Sequence, residues 1–79
     1  MLIIRKDYDL ENLREYNFEK KNHWYELYDE LVTTEVDIES REIYLFATGG
    51  DEVQTMDIPD IVYDLIKENI IEKSEDNGN

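Results

Sequence analysis

Glu35, Asp37 and Glu39 recur at every second position, and Glu42 follows three residues later. On a β-strand every second side chain points the same way and lies about 7 Å from the next. These carboxylates would therefore form a row of fixed negative charge. Such a row can imitate the regularly spaced charge of a nucleic-acid backbone and occupy the basic groove of a DNA- or RNA-handling protein. The same residues also fit an ordinary solvated strand face, where charge serves solubility. Two features favour the sharper expectation. The row contains no lysine, and Asp37 is expected opposite Glu42, a like-charge pair that costs a few tenths of a kcal/mol or more. Tolerated self-repulsion points to a partner that relieves it.

The surrounding sequence extends this asymmetry. Residues 22–66 contain twelve carboxylates against one strong base, Arg41, and the other seven Lys and Arg lie towards the two ends. With a net charge of −13, the surface repels nucleic acid and anionic membrane and attracts basic protein clefts. Trp24, Tyr25, Tyr28, Tyr44 and Tyr63 are interspersed with the carboxylates. Tyr and Trp bring large contact area at low entropic cost, so they suit an interface as well as a core. Trp24 is expected in the core, as is Phe46 if a helix covers its side of the sheet. Tyr44 and Tyr63 are the contact candidates. Asp60 and Asp64 flank Tyr63 on the outward face of a helix and join it as partner-binding residues.

Other chemistries find less support. There is no cysteine and only one histidine, His23, so a zinc site lacks its usual ligands. Asp51-Glu52, and Asp57 with Asp60, could offer oxygen ligands to a hard cation, but neither has EF-hand spacing and the second pair is better explained by helix capping. The serines, Ser40 and Ser74, lie far in sequence from His23, which leaves no nucleophile and base pair in view. Gly49-Gly50 lacks the basic residues of a phosphate loop. No catalytic residue, metal or cofactor is expected.

The elements that must position these residues can be read from periodicity. Seventy-nine residues with 41% hydrophobic content suit one small folded domain rather than a disordered acidic chain. The run Leu2–Arg5 predicts a strand and is too short for a signal peptide or membrane span. Asp9 is placed to cap a helix bearing Leu10, Leu13 and Tyr16, with Tyr8 stapling onto Leu13. Asn17 followed by Phe18 reads as its stop signal, and Asn69 followed by Ile70 reads as the same device at a second helix. Between them the period changes to two. Trp24–Tyr28 predicts one strand. Val32, Thr34, Val36 and Ile38 face one side of another, and Arg41, Ile43, Leu45 and Ala47 that side of a third, with a turn of two or four residues around Glu39 and Ser40. Val36 then pairs with Ile43 towards the core and Glu35 with Tyr44 outside. Asp29-Glu30 is either a turn or a bulge. After the loop signal Gly49-Gly50-Asp51, Glu52–Met56 offers a further strand. The second helix is expected to begin at Asp57 with Pro59 in its first turn, burying Ile58, Ile61, Val62, Leu65 and Ile66.

Three stretches carry a resemblance. Ile4 to Phe18 (IRKDYDLENLREYNF), Val36 to Leu45 (VDIESREIYL) and Ile58 to Ile66 (IPDIVYDLI) resemble small acidic proteins of unassigned activity encoded by bacteriophages and prophages of Gram-positive bacteria. The resemblance implies a protein acting in the bacterial cytoplasm. It also implies an inhibitor of host defence nucleases, anti-CRISPR proteins among them, some of which occupy nucleic-acid sites.

The expected molecule is an α+β domain over residues 1–73, an antiparallel sheet of about four to five strands with two helices on one face, followed by a disordered tail at 74–79. Its expected partner is a basic nucleic-acid-binding protein of the host, with no direct contact to nucleic acid or membrane. The alternative is an interaction module, as a monomer or homodimer, that binds through an apolar or mixed patch without mimicry.

Overall fold

The computed structural model describes residues 2–47 and 59–73. The chain forms β1 (Leu2–Ile4), a 3-10 helix (Leu10–Tyr16), β2 (Glu19–Lys20), β3 (Trp24–Leu27), β4 (Val32–Asp37), β5 (Ile43–Ala47), α1 (Asp60–Lys67) and β6 (Ile71–Lys73). This is an α+β fold with two antiparallel sheets. One has four strands in the order β2-β3-β4-β5, and the other pairs β1 with β6. A bridge between Ile3 and Glu42, together with the Ile4 N–H donating to the Arg41 carbonyl at 2.9 Å, joins β1 to the start of β5.

The first helix is of the 3-10 type for a reason visible in its composition. Leu10, Leu13 and Tyr16 stand three apart, the period of a 3-10 turn, and the next position in an α-helical stripe after Leu10 is the exposed Arg14. Asp9 caps it by accepting the Glu11 N–H at 2.9 Å. Asn17 ends it in the left-handed region at φ 73°, and the Phe18 N–H returns to the Leu13 carbonyl at 3.3 Å. Asn69 does the same beyond α1, at φ 61°, with the Ile70 N–H on the Leu65 carbonyl at 2.9 Å. In both places asparagine supplies the positive φ and the following apolar residue folds back into the core.

Ile4, Leu10, Leu13, Phe18, Tyr25, Val36, Val62, Leu65, Ile70 and Ile71 form one buried cluster. It gathers side chains from both helices, both sheets and both stop signals. Several expectations need correction. α1 starts at Asp60 with Pro59 as its N-cap, extended at ψ 153°, rather than with Pro59 inside the first turn; the fixed φ of proline suits either position. Ile66 is exposed, whereas Val62 and Leu65 are buried and Ile61 packs partly buried against the core. Asp57, Ile58 and the proposed strand Glu52–Met56 lie outside the described residues, as do Gly49-Gly50-Asp51 and residues 74–79. Asp29-Glu30 belongs to the β3–β4 connection, where the Asp29 carboxylate accepts the Leu31 N–H at 3.1 Å. Two strands were not foreseen. β2 has only two residues, both charged, and β6 follows the Asn69 stop signal directly.

Candidate protein-binding face

The β4–β5 hairpin builds the acidic row. Its connection is a four-residue loop, 38–41, closed by the Arg41 N–H on the Asp37 carbonyl at 2.8 Å and the Asp37 N–H on the Glu42 carbonyl at 3.0 Å. The Asp37 carboxylate turns into this loop and accepts the Ser40 N–H at 2.7 Å. Hydrogen bonds from the Ser40 and Glu39 backbone hold that carboxyl below the usual aspartate range. Ser40 Oγ in turn accepts the Glu42 N–H at 3.2 Å. Arg41 takes φ 65°, which lets the chain reverse, and does not begin the inner row of the strand as the alternation suggested. Its Nη1 donates to the carbonyls of Arg5 and Tyr8, each at 2.8 Å. The lone base of the acidic middle therefore fastens the hairpin to the β1–helix connection. Among the described residues no carboxylate is one of its bonded partners.

Register decides what stands beside Glu35. Glu19 is opposite Glu26, Glu26 is opposite Glu35, and Glu35 is opposite Tyr44. Directly opposed residues have Cβ atoms about 4.5–5.5 Å apart, so three glutamates and a tyrosine cross four strands in one line. Lys21 engages Glu19 at 3.0 Å. Among the described residues no base lies within ion-pair distance of Glu26 or Glu35, although Lys21 is near enough to feel the Glu26 charge. Burial, and then the Glu26 charge, push the Glu35 carboxyl above its ordinary value. A second line runs parallel, with Trp24 opposite Asp37 and Asp37 facing Glu42.

Aromatic residues occupy the rest of this face. Trp24 lies here, half-buried, with its indole N–H on Glu26 at 3.2 Å. It was expected in the core, but strand alternation allows only one of Trp24 and Tyr25 inside. Tyr25 is the one, 2% exposed, with its hydroxyl donating to the Glu11 carboxylate. That bond holds Glu11 below the usual glutamate range, and burial followed by the same bond raises Tyr25. Phe46 is 48% exposed opposite Thr33, whereas Leu10, Leu13, Val62 and Leu65 of the helices join Tyr25 and Val36 in the core. The Phe46 ring stacks with Tyr44 at 6.4 Å between centroids and 28° between planes. Tyr28 and Leu31, at the β3–β4 connection, are 67% and 75% exposed.

The eight candidate residues fall into two groups. Glu35, Asp37, Glu42 and Tyr44 share the outer face of the sheet, and Glu39 is exposed in the loop beside it. Asp60, Tyr63 and Asp64 are exposed on α1, whose Val62 and Leu65 enter the core that Val36 also enters. The two groups therefore sit on different elements that share one core. Glu19 and Glu26 were missed. Alternation from Trp24 to Tyr28 puts Glu26 outside, but only pairing puts it beside Glu35.

Among the described residues no group of three or more His, Asp or Glu could hold a metal ion, and no helix is long and apolar enough to cross a membrane. No protein-family model, curated protein or solved structure matches this chain at a significant level. Among the described residues the face sets Glu26 and Glu35, without an ion-pair partner, on the same side of the sheet as the exposed rings of Tyr44 and Phe46.

Proposed function

We propose that this protein is a non-catalytic, phage-type inhibitor that docks on the basic nucleic-acid-binding groove of a host defence nuclease, a CRISPR effector or similar enzyme. The outer face of the four-stranded sheet is the docking surface. The line Glu19–Glu26–Glu35 carries this reading: three carboxylates stand in register on neighbouring strands, and the inner two have no ion-pair partner among the described residues. A partner supplying Lys or Arg removes their repulsion on binding. Glu42 and Glu39 extend the negative surface, and Tyr44 adds contact area. Asp37 contributes charge while its carboxylate also closes the hairpin loop. The choice of a defence nuclease as target rests on the resemblance to phage proteins.

A second reading is favoured by Tyr28, Leu31 and Phe46, whose exposure suits a mixed or apolar interface with a protein that has no nucleic-acid groove. Salt and charge reversal separate the two. Binding by the acidic line weakens steeply as ionic strength rises through the screening range, and an apolar interface changes little. The double variant Glu26→Lys/Glu35→Lys should lose affinity for the basic groove by roughly a hundredfold or more, with its cooperative thermal unfolding retained. A folded double variant that inhibits as well as the wild type sinks the mimicry reading.

A further inference from the structure

We propose that the element this face receives is an α-helix of the partner, laid across the strands, with Arg or Lys on one side at successive i, i+4 positions. The inference rests on the acidic docking face described above and names what fits it. Spacing selects the helix. Cross-strand neighbours such as Glu26 and Glu35 have Cβ atoms about 4.5–5.5 Å apart. Residues one turn apart on a helix are separated by about 5–6 Å, whereas same-face residues on an extended chain are about 7 Å apart. Basic residues at i and i+4 on one helical face can therefore each meet one of Glu26 and Glu35, and a third at i+8 reaches Glu19 in competition with Lys21, while an extended basic strand falls further out of step by the third contact.

The length of the line agrees. Four strands at about 4.8 Å spacing span roughly 14 Å between the first and fourth, the rise of about ten helical residues. At its far end the line passes from Glu35 to Tyr44, whose ring stacks with Phe46. An arginine or an apolar side chain about eleven residues along the partner helix from the one facing Glu19 lies on the same face about 16 Å along the axis, where its length lets it reach this aromatic surface, and a guanidinium is attracted to such a face. Charge complementarity fixes the sign of the helix, and Tyr44 and Phe46 fix which end of it is aromatic-seeking. Glu26 and Glu35 stand directly opposite each other, and burial together with the Glu26 charge raises the Glu35 carboxyl, so a cation arriving between these two carboxylates relieves their repulsion.

The test uses the full-length protein and three synthetic peptides of equal length and equal arginine count. The first is helix-forming with arginines at i, i+4 and i+8, the second is helix-forming with the arginines distributed around the helix, and the third places them at alternate positions of a β-forming sequence. The first should bind more tightly than the others by on the order of tenfold, and Glu26→Gln/Glu35→Gln should remove that advantage, as expected for losing charge-assisted contacts. Equal binding of all three peptides, lost in the double Gln variant, would overturn the helix while leaving the acidic docking face in place. Binding that the double Gln variant leaves unchanged would overturn both. Thermal unfolding of the variant confirms that it is folded, and the conservative Gln keeps shape and removes only charge.

Discussion

Two adjacent lines of residues cross the same strands, one position apart, and carry opposite physics. In the inner line Lys20, Tyr25, Val36 and Ile43 stand opposite one another in turn, and Tyr25 and Val36 are buried. In the outer line the corresponding positions are Glu19, Glu26, Glu35 and Tyr44. The inner line stabilises the domain by removing apolar area from water. The outer line opposes it, because like charges directly across a ladder repel. A sheet retains such a line when the surrounding core can carry it. The difference teaches where to look for function: the inner line is what folding requires, and the outer line is what folding alone does not explain.

The most damaging way to break the contrast is to truncate the inner line. Tyr25→Ala should lower the unfolding free energy by about 3–5 kcal/mol, the range for deleting a buried ring, measured by urea denaturation. A small loss would mean that the inner line is not the core of the domain.

A lesser effect is expected at Asp37, where the two roles meet. Its carboxyl is held low by hydrogen bonds in the hairpin loop, so it contributes stability that is present above the ordinary aspartate value and lost as pH falls through its depressed folded value. Asp37→Ala should therefore be less stable than the wild type at neutral pH, with the gap closing in acid. Parallel thermal melts across pH check this.

The smallest change, and the one of opposite sign, belongs to Glu35→Gln. Removing one member of the like-charge pair should stabilise the domain at neutral pH by roughly 0.2–1 kcal/mol. The Glu35 carboxyl is raised in the fold, so the native state takes up its proton more readily than the unfolded chain, and wild-type stability from this group rises as pH falls through the raised value. The advantage of the Gln variant should shrink over that same interval, and also with added salt. An unfavourable Glu35→Gln would show that Glu35 has a structural role and would remove it from the docking face.

Much of this arrangement was legible in the chain. Asp9, Asn17 and Asn69 act locally, through a side chain or a backbone conformation within a few residues, and the helix boundaries they mark follow from them. The facing of β4 against β5 was also readable, because Val36 with Ile43 and Glu35 with Tyr44 follow from a short hairpin and strict alternation. Trp24 and Tyr25 show where such reasoning stops. Alternation says that they face opposite ways, and size favoured Trp24 inside. With Tyr25 opposite Val36 the inner face of the sheet joins the core, and Glu11, fourteen residues away, accepts the Tyr25 hydroxyl. The candidate face was legible in part for the same reason: Glu35, Asp37 and Glu42 lie on one hairpin, but Glu19 and Glu26 reach Glu35 only through two further strand pairings.

The sequence by itself determined the sign of the surface, the alternation that sends carboxylates outward from β4, and the local signals that start and stop the helices, because each depends on residue type and on neighbours within a few positions. The tertiary structure alone decided three things. It set Glu19, Glu26 and Glu35 in one line, it engaged Arg41 with the backbone carbonyls of Arg5 and Tyr8, and it packed Val62 and Leu65 of α1 into one core with Val36 of the hairpin. Each depends on which distant segments pair or pack, and pairing register is fixed by the burial of the whole inner face rather than by any one strand.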